Sequence, residues 1–405
     1  MKQNGRIRVL YSFPHKLGGS RICNTAWQQV NGLAAAGAQV LAFPGVLNKP
    51  LPCSVNVHPT LAWGRLRIPY KLFGSMRAFA LHDQIVSQRV RALAGRIDLI
   101  HTWPLGALRT LETAIELGIP TVLERPNAHT RYAYQAVQNE CERMGITLPR
   151  DHEHAYNSQV LQKEEQEYNL ADFLLCPSDF VVQTFIDQGF PENKLLRHQY
   201  GFDESLYHPT DRSNSLTEGL VMLFAGVCAV RKGLHYALEG WLRSSACDRG
   251  TFLIAGEFLP EYEQKLSSML SHPSVKVLGH RSDLPELMRS CDVLVLPSIE
   301  EGSALVTSEA RGSGCVLLVS EAAGANCQHM HDAMVHRVGD VGTLSAQITM
   351  LDKDRRFLQK LREASLSTMH QLTWIMAGRK LLDVYSQVLV AKQSSKSADV
   401  MTFAS

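Results

Sequence analysis

The sequence lacks the features of a secreted, membrane-spanning or nucleic-acid-binding protein. Its nine cysteines are odd in number and form no Cys-x-x-Cys pair, which argues against a disulfide framework or a zinc site and favours reduced thiols in the cytoplasm. No apolar run reaches the ~18 residues of a transmembrane helix, and we expect no signal peptide because Met1–Gly5 is followed directly by a strand-like run. The net charge of +2 implies no nucleic-acid partner.

The chain also has no Gly-x-Gly-x-x-Gly motif, which counts against a nicotinamide-binding enzyme. What it does contain is an alternation of short apolar runs with helical segments, and this alternation occurs twice. The first set extends from Arg6–Ser12 to Asp172–Ser178, and the second from Val221–Gly226 to Cys315–Ser320, with the turn-rich segment 211–218 between them. The pattern predicts two doubly wound α/β domains, with ligands at the carboxyl ends of their parallel strands.

The strongest functional signal is the segment 301–309, which follows the predicted strand Asp292–Ser298 directly. Glu301 lies in the strand-to-helix loop, and Glu309 lies about two turns into the next helix. The residues that join them at the start of the helix are Gly302, Ser303, Ala304 and Leu305. A helix N-terminus favours a diphosphate, and carboxylates accept hydrogen bonds from sugar hydroxyls. A solvated helix with two surface glutamates is the alternative for this spacing alone.

This segment, the strand before it and Ala310–Gly314 after it resemble the Glu-x7-Glu motif of the family 4 retaining glycosyltransferases. The resemblance covers about residues 6–390. It implies the GT-B fold, an α/β architecture in which two Rossmann-like doubly wound domains face a cleft.

The resemblance also implies a division of the chain. Residues 1–208 would form the acceptor-binding domain, completed by a C-terminal helix at about 373–392. Residues 209–372 would bind the nucleotide sugar. We expect the polar tail 393–405 to be disordered.

Several site residues follow from the same resemblance. Glu301 would contact the donor sugar and Glu309 the ribose hydroxyls. Lys232 takes the family's phosphate-binding position, whereas Val227 stands where the family has an arginine. We therefore expect Arg231 to supply the second cation, since two cations on a diphosphate stabilise the leaving group. A surface Arg–Lys pair before a helix is the alternative interpretation.

Five further residues would complete the cleft. His129, after the predicted strand Thr121–Arg125, matches a family histidine that faces the donor sugar. Gly18 and Gly19 match a glycine loop that lets the backbone approach the donor, although a plain turn explains them equally. His101 would lie on the acceptor side, and His280 would lie near the base.

We predict no metal ion and no cofactor besides the donor, because Asp352-Lys353-Asp354 is better explained as a helix cap than as a metal motif. A UDP-sugar is favoured over GDP-mannose by family frequency alone. The basic and aromatic stretch 61–96, with Arg65 and Arg67, would contact a lipid phosphate of the acceptor or a membrane surface. The alternative is a solvated helix face with its aromatic residues in the core.

Together these features predict a retaining hexosyltransferase that acts on a glycan or a lipid-linked acceptor, in the cytoplasm or at the inner face of the membrane. A catalytically inactive sugar-nucleotide-binding subunit is an alternative, because of Val227. A phosphorylase or an epimerase of the same fold is another. The sequence leaves open the donor base and sugar, the acceptor, the linkage and the oligomeric state.

Overall fold

The computed structural model describes residues 6–64, 66–67, 74–149, 152–210 and 219–402. It describes only the backbone of Trp63, Leu66, Arg67 and residues 395–402. Arg65 and the predicted linker 211–218 lie outside the described residues.

The strands belong to one sheet in each half of the chain and to a short hairpin. They are β1 (Arg8–Leu17), β2 (Gln39–Leu47), β3 (Asn56–Val57), β4 (Ala62–Trp63), β5 (Leu66–Arg67), β6 (Leu99–Thr102), β7 (Thr121–Glu124), β8 (Phe173–Cys176), β9 (Leu195–Arg197), β10 (Val221–Ala225), β11 (Thr251–Ala255), β12 (Val275–Gly279), β13 (Val293–Leu296), β14 (Val316–Ser320) and β15 (Ala333–His336).

Helices connect most of these strands. They are α1 (Ile22–Ala35), α2 (Ser75–Ala92), α3 (Leu108–Leu117), α4 (Thr130–Met144), α5 (Ser158–Leu170), α6 (Asp179–Ile186), α7 (Leu234–Arg243), α8 (Pro260–Leu270), α9 (Leu284–Ser290), α10 (Leu305–Gly312), α11 (Val341–Lys353), α12 (Arg355–Thr368) and α13 (Trp374–Thr402). Asp354 caps α12 by accepting a hydrogen bond from the backbone N–H of Phe357, which confirms the interpretation of that motif as a cap. Among the described residues, no helix combines the length and the apolar character that a bilayer crossing requires.

The two sheets confirm the predicted fold class. The N-terminal sheet has the strand order β3-β2-β1-β6-β7-β8-β9, and the C-terminal sheet has the order β12-β11-β10-β13-β14-β15. Neighbouring strands are parallel in both. The chain reverses its direction of travel between β1 and β6 in the first sheet and between β10 and β13 in the second. Such switch points form crevices at the carboxyl ends of the strands, where ligands bind.

The C-terminal helix α13 packs on the N-terminal domain. Leu381, Tyr385 and Val388 are buried in the core beneath β1 and α1. The helix continues to Thr402, past residue 393 where the sequence analysis places the start of the tail, and disorder of the tail stays a prediction. No glycine or proline follows Gly378, so no helix-breaking residue ends the helix.

Helix α4 connects two strands of the N-terminal sheet, yet it packs on the C-terminal domain. Its residues Val137 and Cys141 belong to the hydrophobic core of that domain. On the same face, Glu140 accepts hydrogen bonds from His235 and Tyr236 at the start of α7. The two domains are therefore joined by this helix as well as by α13.

Candidate active site

The loop between β10 and α7 carries the two predicted phosphate-binding cations at the switch point of the C-terminal sheet. Gly233 follows them with φ +68°, and a Cβ there would lie 1.9 Å from the carbonyl oxygen of Pro297. The backbone N–H of Ile299 donates to the carbonyl of Arg231 at 2.8 Å. The loop is thus fixed against the segment after β13, and only glycine fits after Lys232.

Arg231, Lys232 and Glu301 come together there, as the sequence predicts. Arg231 Nη1 lies 3.1 Å from Glu301 Oε2, and Lys232 Nζ forms an ion pair with Glu301 Oε1. Burial alone would raise the pKa of Glu301, but the two cations outweigh it and lower that pKa. Burial dominates at Lys232 and lowers its pKa. The arrangement places two cations at a helix N-terminus, where an anion is stabilised.

Glu300 is a site residue that the sequence analysis missed. It is fully buried, and its carboxylate lies 3.2 Å from Arg231 Nη1. Its other oxygen accepts a hydrogen bond from the backbone N–H of Ala128 at 3.1 Å, so it bridges the two domains. With Glu300 and Glu301 both facing the cations, the local charge is balanced before any ligand binds. A diphosphate must therefore compete with a carboxylate for Arg231 or Lys232.

Gly302 brings the two domains into direct contact. A Cβ at this position would lie 1.6 Å from the carbonyl oxygen of Pro126. Ser178 Oγ, also in the N-terminal domain, donates to the Gly302 carbonyl at 2.5 Å. The cleft is therefore closed at this point, with the loop after β7 resting on the loop before α10. Ser303 is partly buried beside it, and the backbone N–H of Ala304 donates to the Ala323 carbonyl.

Glu309 lies on α10 and is largely buried next to Tyr207 in the segment between the domains. Burial raises its pKa to about 7, although a hydrogen bond from Tyr207 acts in the opposite direction. Glu309 lies one helical turn after Leu305, which begins the same helix. Its contact with a ribose stays a prediction.

The side chain of His129 does not face the cleft, contrary to the expectation from the resemblance. Its ring packs against Tyr168 and Phe185, with centroid distances of 5.2 and 4.9 Å, and the residue is 1% exposed. As the N-cap of α4, its Nδ1 accepts from the backbone N–H of Arg131. Burial lowers its pKa to about 3, so the imidazole is neutral. In this arrangement the backbone of its neighbour Ala128, rather than the imidazole, meets the other domain.

His101 is likewise buried rather than exposed to an acceptor. Its Nδ1 lies 2.6 Å from the hydroxyl of Tyr385 on α13, and its Nε2 lies 3.4 Å from Glu124. Glu124 also accepts hydrogen bonds from Gln29 and Tyr200 at 3.0 and 2.8 Å. His101 thus ties the C-terminal helix into the N-terminal domain, and a direct acceptor contact would require this network to open.

None of the remaining predicted residues within the described ranges is seen in contact with Glu301. Gly18 has φ +83°, and a Cβ there would meet Lys49 at 2.7 Å, so local packing already requires this glycine; Gly19 follows in the same turn. His280 is exposed after β12, and Arg67 lies in the hairpin strand β5. Val227 is 40% exposed in the loop after β10. Within the described ranges, no group of three or more His, Cys, Asp or Glu side chains could hold a metal ion, and metal independence stays a prediction.

Two facing doubly wound domains, with cations and carboxylates gathered at the switch point of the second, define a GT-B glycosyltransferase fold. Solved structures of such proteins share it over nearly the whole chain. Sucrose-phosphate synthase from Thermosynechococcus elongatus has a TM-score of 0.68 at 16% identity, with 96% of this chain and 100% of that one covered. Anabaena HepE in complex with UDP has a TM-score of 0.64 at 16% identity, with 95% and 100% covered.

The similarity to a known family lies in the C-terminal domain. Residues 219–354 match the family model "Glycosyl transferases group 1". A curated relative from Campylobacter jejuni, N,N'-diacetylbacillosaminyl-diphospho-undecaprenol alpha-1,3-N-acetylgalactosaminyltransferase, is 26% identical over 144 residues. That match spans 35% of this chain and 38% of the relative's length.

Proposed function

We propose that this protein is a retaining glycosyltransferase that moves a hexose from a nucleotide diphosphate-sugar to a glycan or a lipid-linked acceptor. The observation that carries the proposal is the convergence of Arg231 and Lys232 on Glu301 at the N-terminus of α10. Cations that stabilise a departing diphosphate and a carboxylate that binds sugar hydroxyls are what the transfer requires.

In the proposed reaction, Arg231 and Lys232 stabilise the charge that develops on the β-phosphate. Glu301, released from its ion pairs, orients the donor sugar, and Glu309 holds the ribose. The acceptor hydroxyl attacks from the face that the phosphate leaves, and the leaving phosphate takes the proton from it. No bound metal enters this scheme, because Arg231 and Lys232 supply positive charge to the diphosphate once it displaces Glu301 from them.

The nature of the substrates is also part of the proposal. The donor is a UDP-sugar rather than GDP-mannose, in keeping with the UDP present in the HepE structure. The Campylobacter relative is named for a lipid-linked, undecaprenol-diphosphate acceptor, and we propose an acceptor of the same general kind. The protein would then work in the cytoplasm, in peripheral contact with the inner face of the membrane, where Arg65 and Arg67 would meet anionic headgroups.

The test is to measure transfer in EDTA with Glu301→Ala and Lys232→Ala. Each substitution removes a group that acts in the transition state, so turnover should fall by ~10²-fold or more. Glu192→Ala and Lys276→Ala change exposed residues outside the cleft and serve as matched controls. If both site variants turn over at rates near those of the controls, the proposed function is wrong.

A further inference from the structure

The N-terminal domain contains a cavity that is separate from the donor site described above. It has a volume of about 190 Å³ and opens where the loops after β1, β6 and β7 meet, at the switch point of that sheet. One wall is the loop of Pro126 and Ala128, whose other side touches Glu300 and Gly302. Sites for drug-sized ligands occupy roughly 300–1,000 Å³, so this cavity suits a single monosaccharide ring.

The wall after β6 is held in a fixed shape. Leu105 has φ +68°, a conformation that costs a residue with a side chain about 1–3 kcal/mol. It is stabilised by helix α5: Glu167 accepts hydrogen bonds from the backbone N–H groups of Leu105 and Ala107 at 2.6 and 3.0 Å, and Lys163 donates to the Leu105 carbonyl at 2.5 Å. The cavity is therefore shaped before a ligand arrives, and a preformed site loses less free energy on binding.

The charged groups of the cavity leave no cation free for an anionic ligand. Arg125 is paired with Glu164 at 3.3 Å and donates to the Ala128 carbonyl. His15 is neutral, because burial lowers its pKa to about 4. His154 Nε2 lies 3.6 Å from Glu153 Oε1 and lowers the pKa of this carboxyl to about 2, so Glu153 is ionised beside His154. A carboxylate or phosphate placed here would find no unpaired cation among these side chains, whereas a hydroxyl group would find an acceptor in Glu153.

Glu153 links this cavity to the donor site. Its side chain is 65% exposed at the rim, so a ligand can reach it, and it interacts electrostatically with Arg231 of the phosphate-binding loop. With its low pKa it is a poor base, and its chemistry is to accept a hydrogen bond and orient a hydroxyl. A hydroxyl bound to Glu153 would therefore be held on the side of the cavity that interacts with Arg231.

We infer that this cavity binds one uncharged sugar ring of the acceptor, and that Glu153 orients the hydroxyl group that is glycosylated. The inference rests on the proposed function and adds a specificity to it: acidic sugars are excluded from the acceptor position. Any phosphate of a lipid-linked acceptor must then lie outside the cavity. Glu153 is a specificity-determining residue, distinct from the residues that hold the donor.

The inference can be tested by saturation-transfer NMR on the full chain loaded with UDP. The probes are the methyl glycosides of glucose, galactose, N-acetylglucosamine and glucuronic acid. We expect at least one neutral glycoside to bind, and the glucuronide to bind at least about tenfold more weakly, a difference of ~1.4 kcal/mol. Glu153→Gln should weaken the neutral glycoside about tenfold or more while reducing the discrimination against the glucuronide.

Filling the cavity gives an independent test that does not change a charge. Val160 lines the cavity from the first turn of α5 and is partly buried. Val160→Phe should abolish glycoside binding, whereas Val160→Ala, the matched control, should retain it. Glycoside binding that survives Val160→Phe, equal binding of the glucuronide, or no neutral glycoside binding would each overturn the inference. UDP binding, followed separately by thermal shift, reports on the proposed function, so the two failures are distinguishable.

Discussion

Substituting alanine for Gly302 tests whether the contact between the domains belongs to the catalytic arrangement. The new Cβ would lie 1.6 Å from the Pro126 carbonyl oxygen, and both partners are backbone, so neither can turn away. The gap must widen by about 1.4 Å to reach the 3.0 Å that real Cβ contacts respect. A misplacement of ~1 Å between reacting groups costs ~10²-fold in rate, so kcat should fall by about that factor. UDP affinity should change much less, because Arg231 and Lys232 lie within one domain. Steady-state kinetics and UDP titration measure both quantities.

The control for this experiment is Gly342→Ala. Gly342 lies at the start of α11, where the nearest atom to a new Cβ is 3.6 Å away, so kcat should be unchanged. If Gly302→Ala turns over as fast as Gly342→Ala, the closed contact is not part of the catalytic state. If UDP affinity falls as much as kcat, the substitution has distorted the donor site and the reasoning about domain separation is wrong.

Two further predictions concern the donor site. Gly233→Ala places a Cβ 1.9 Å from the Pro297 carbonyl oxygen at φ +68°, so UDP affinity measured by titration should fall at least about tenfold, and unchanged affinity would show that the loop is not rigid. Glu309→Gln should raise the melting temperature above that of the wild type at pH 8 and not at pH 4. The folded-state pKa of Glu309 is about 7 and its ordinary value is 4.5, so the folded protein binds more protons between these values and the stability falls as the pH rises through that window. An equal effect of Glu309→Gln at both pH values would contradict this.

Much of the fold could be predicted from local patterns. Strands such as β10 and β13 are short, apolar and bounded by glycine or proline, so their sequence signal is strong. β9 was missed because it has only three residues, and β15 because it lies between polar loops. The location of the Glu301 motif could be predicted because a loop that leads from a parallel strand into a helix always lies at the carboxyl end of that strand.

The direction of individual side chains could not be predicted in the same way. His129 and Ala128 are neighbours, and the sequence does not show which of them meets the other domain. The N-cap conformation of His129 turns its ring into the aromatic core and leaves the backbone of Ala128 for Glu300. Glu300 could have been noticed as a second carboxylate next to Glu301. Its role could not be predicted, because it depends on a contact with Ala128, which is 172 positions away in the sequence.

The packing of α4 has a consequence for building chimeric enzymes from this scaffold. A cut in the interdomain segment divides the chain between the sheets, but it leaves α4 with the wrong partner. Val137 and Cys141 would lose the apolar surface of the C-terminal domain, and Glu140 would lose His235. An exchange of N-terminal domains therefore has to include a matching α4 surface. The segments that must be exchanged together in this protein are determined by their packing contacts and not by their positions in the sequence.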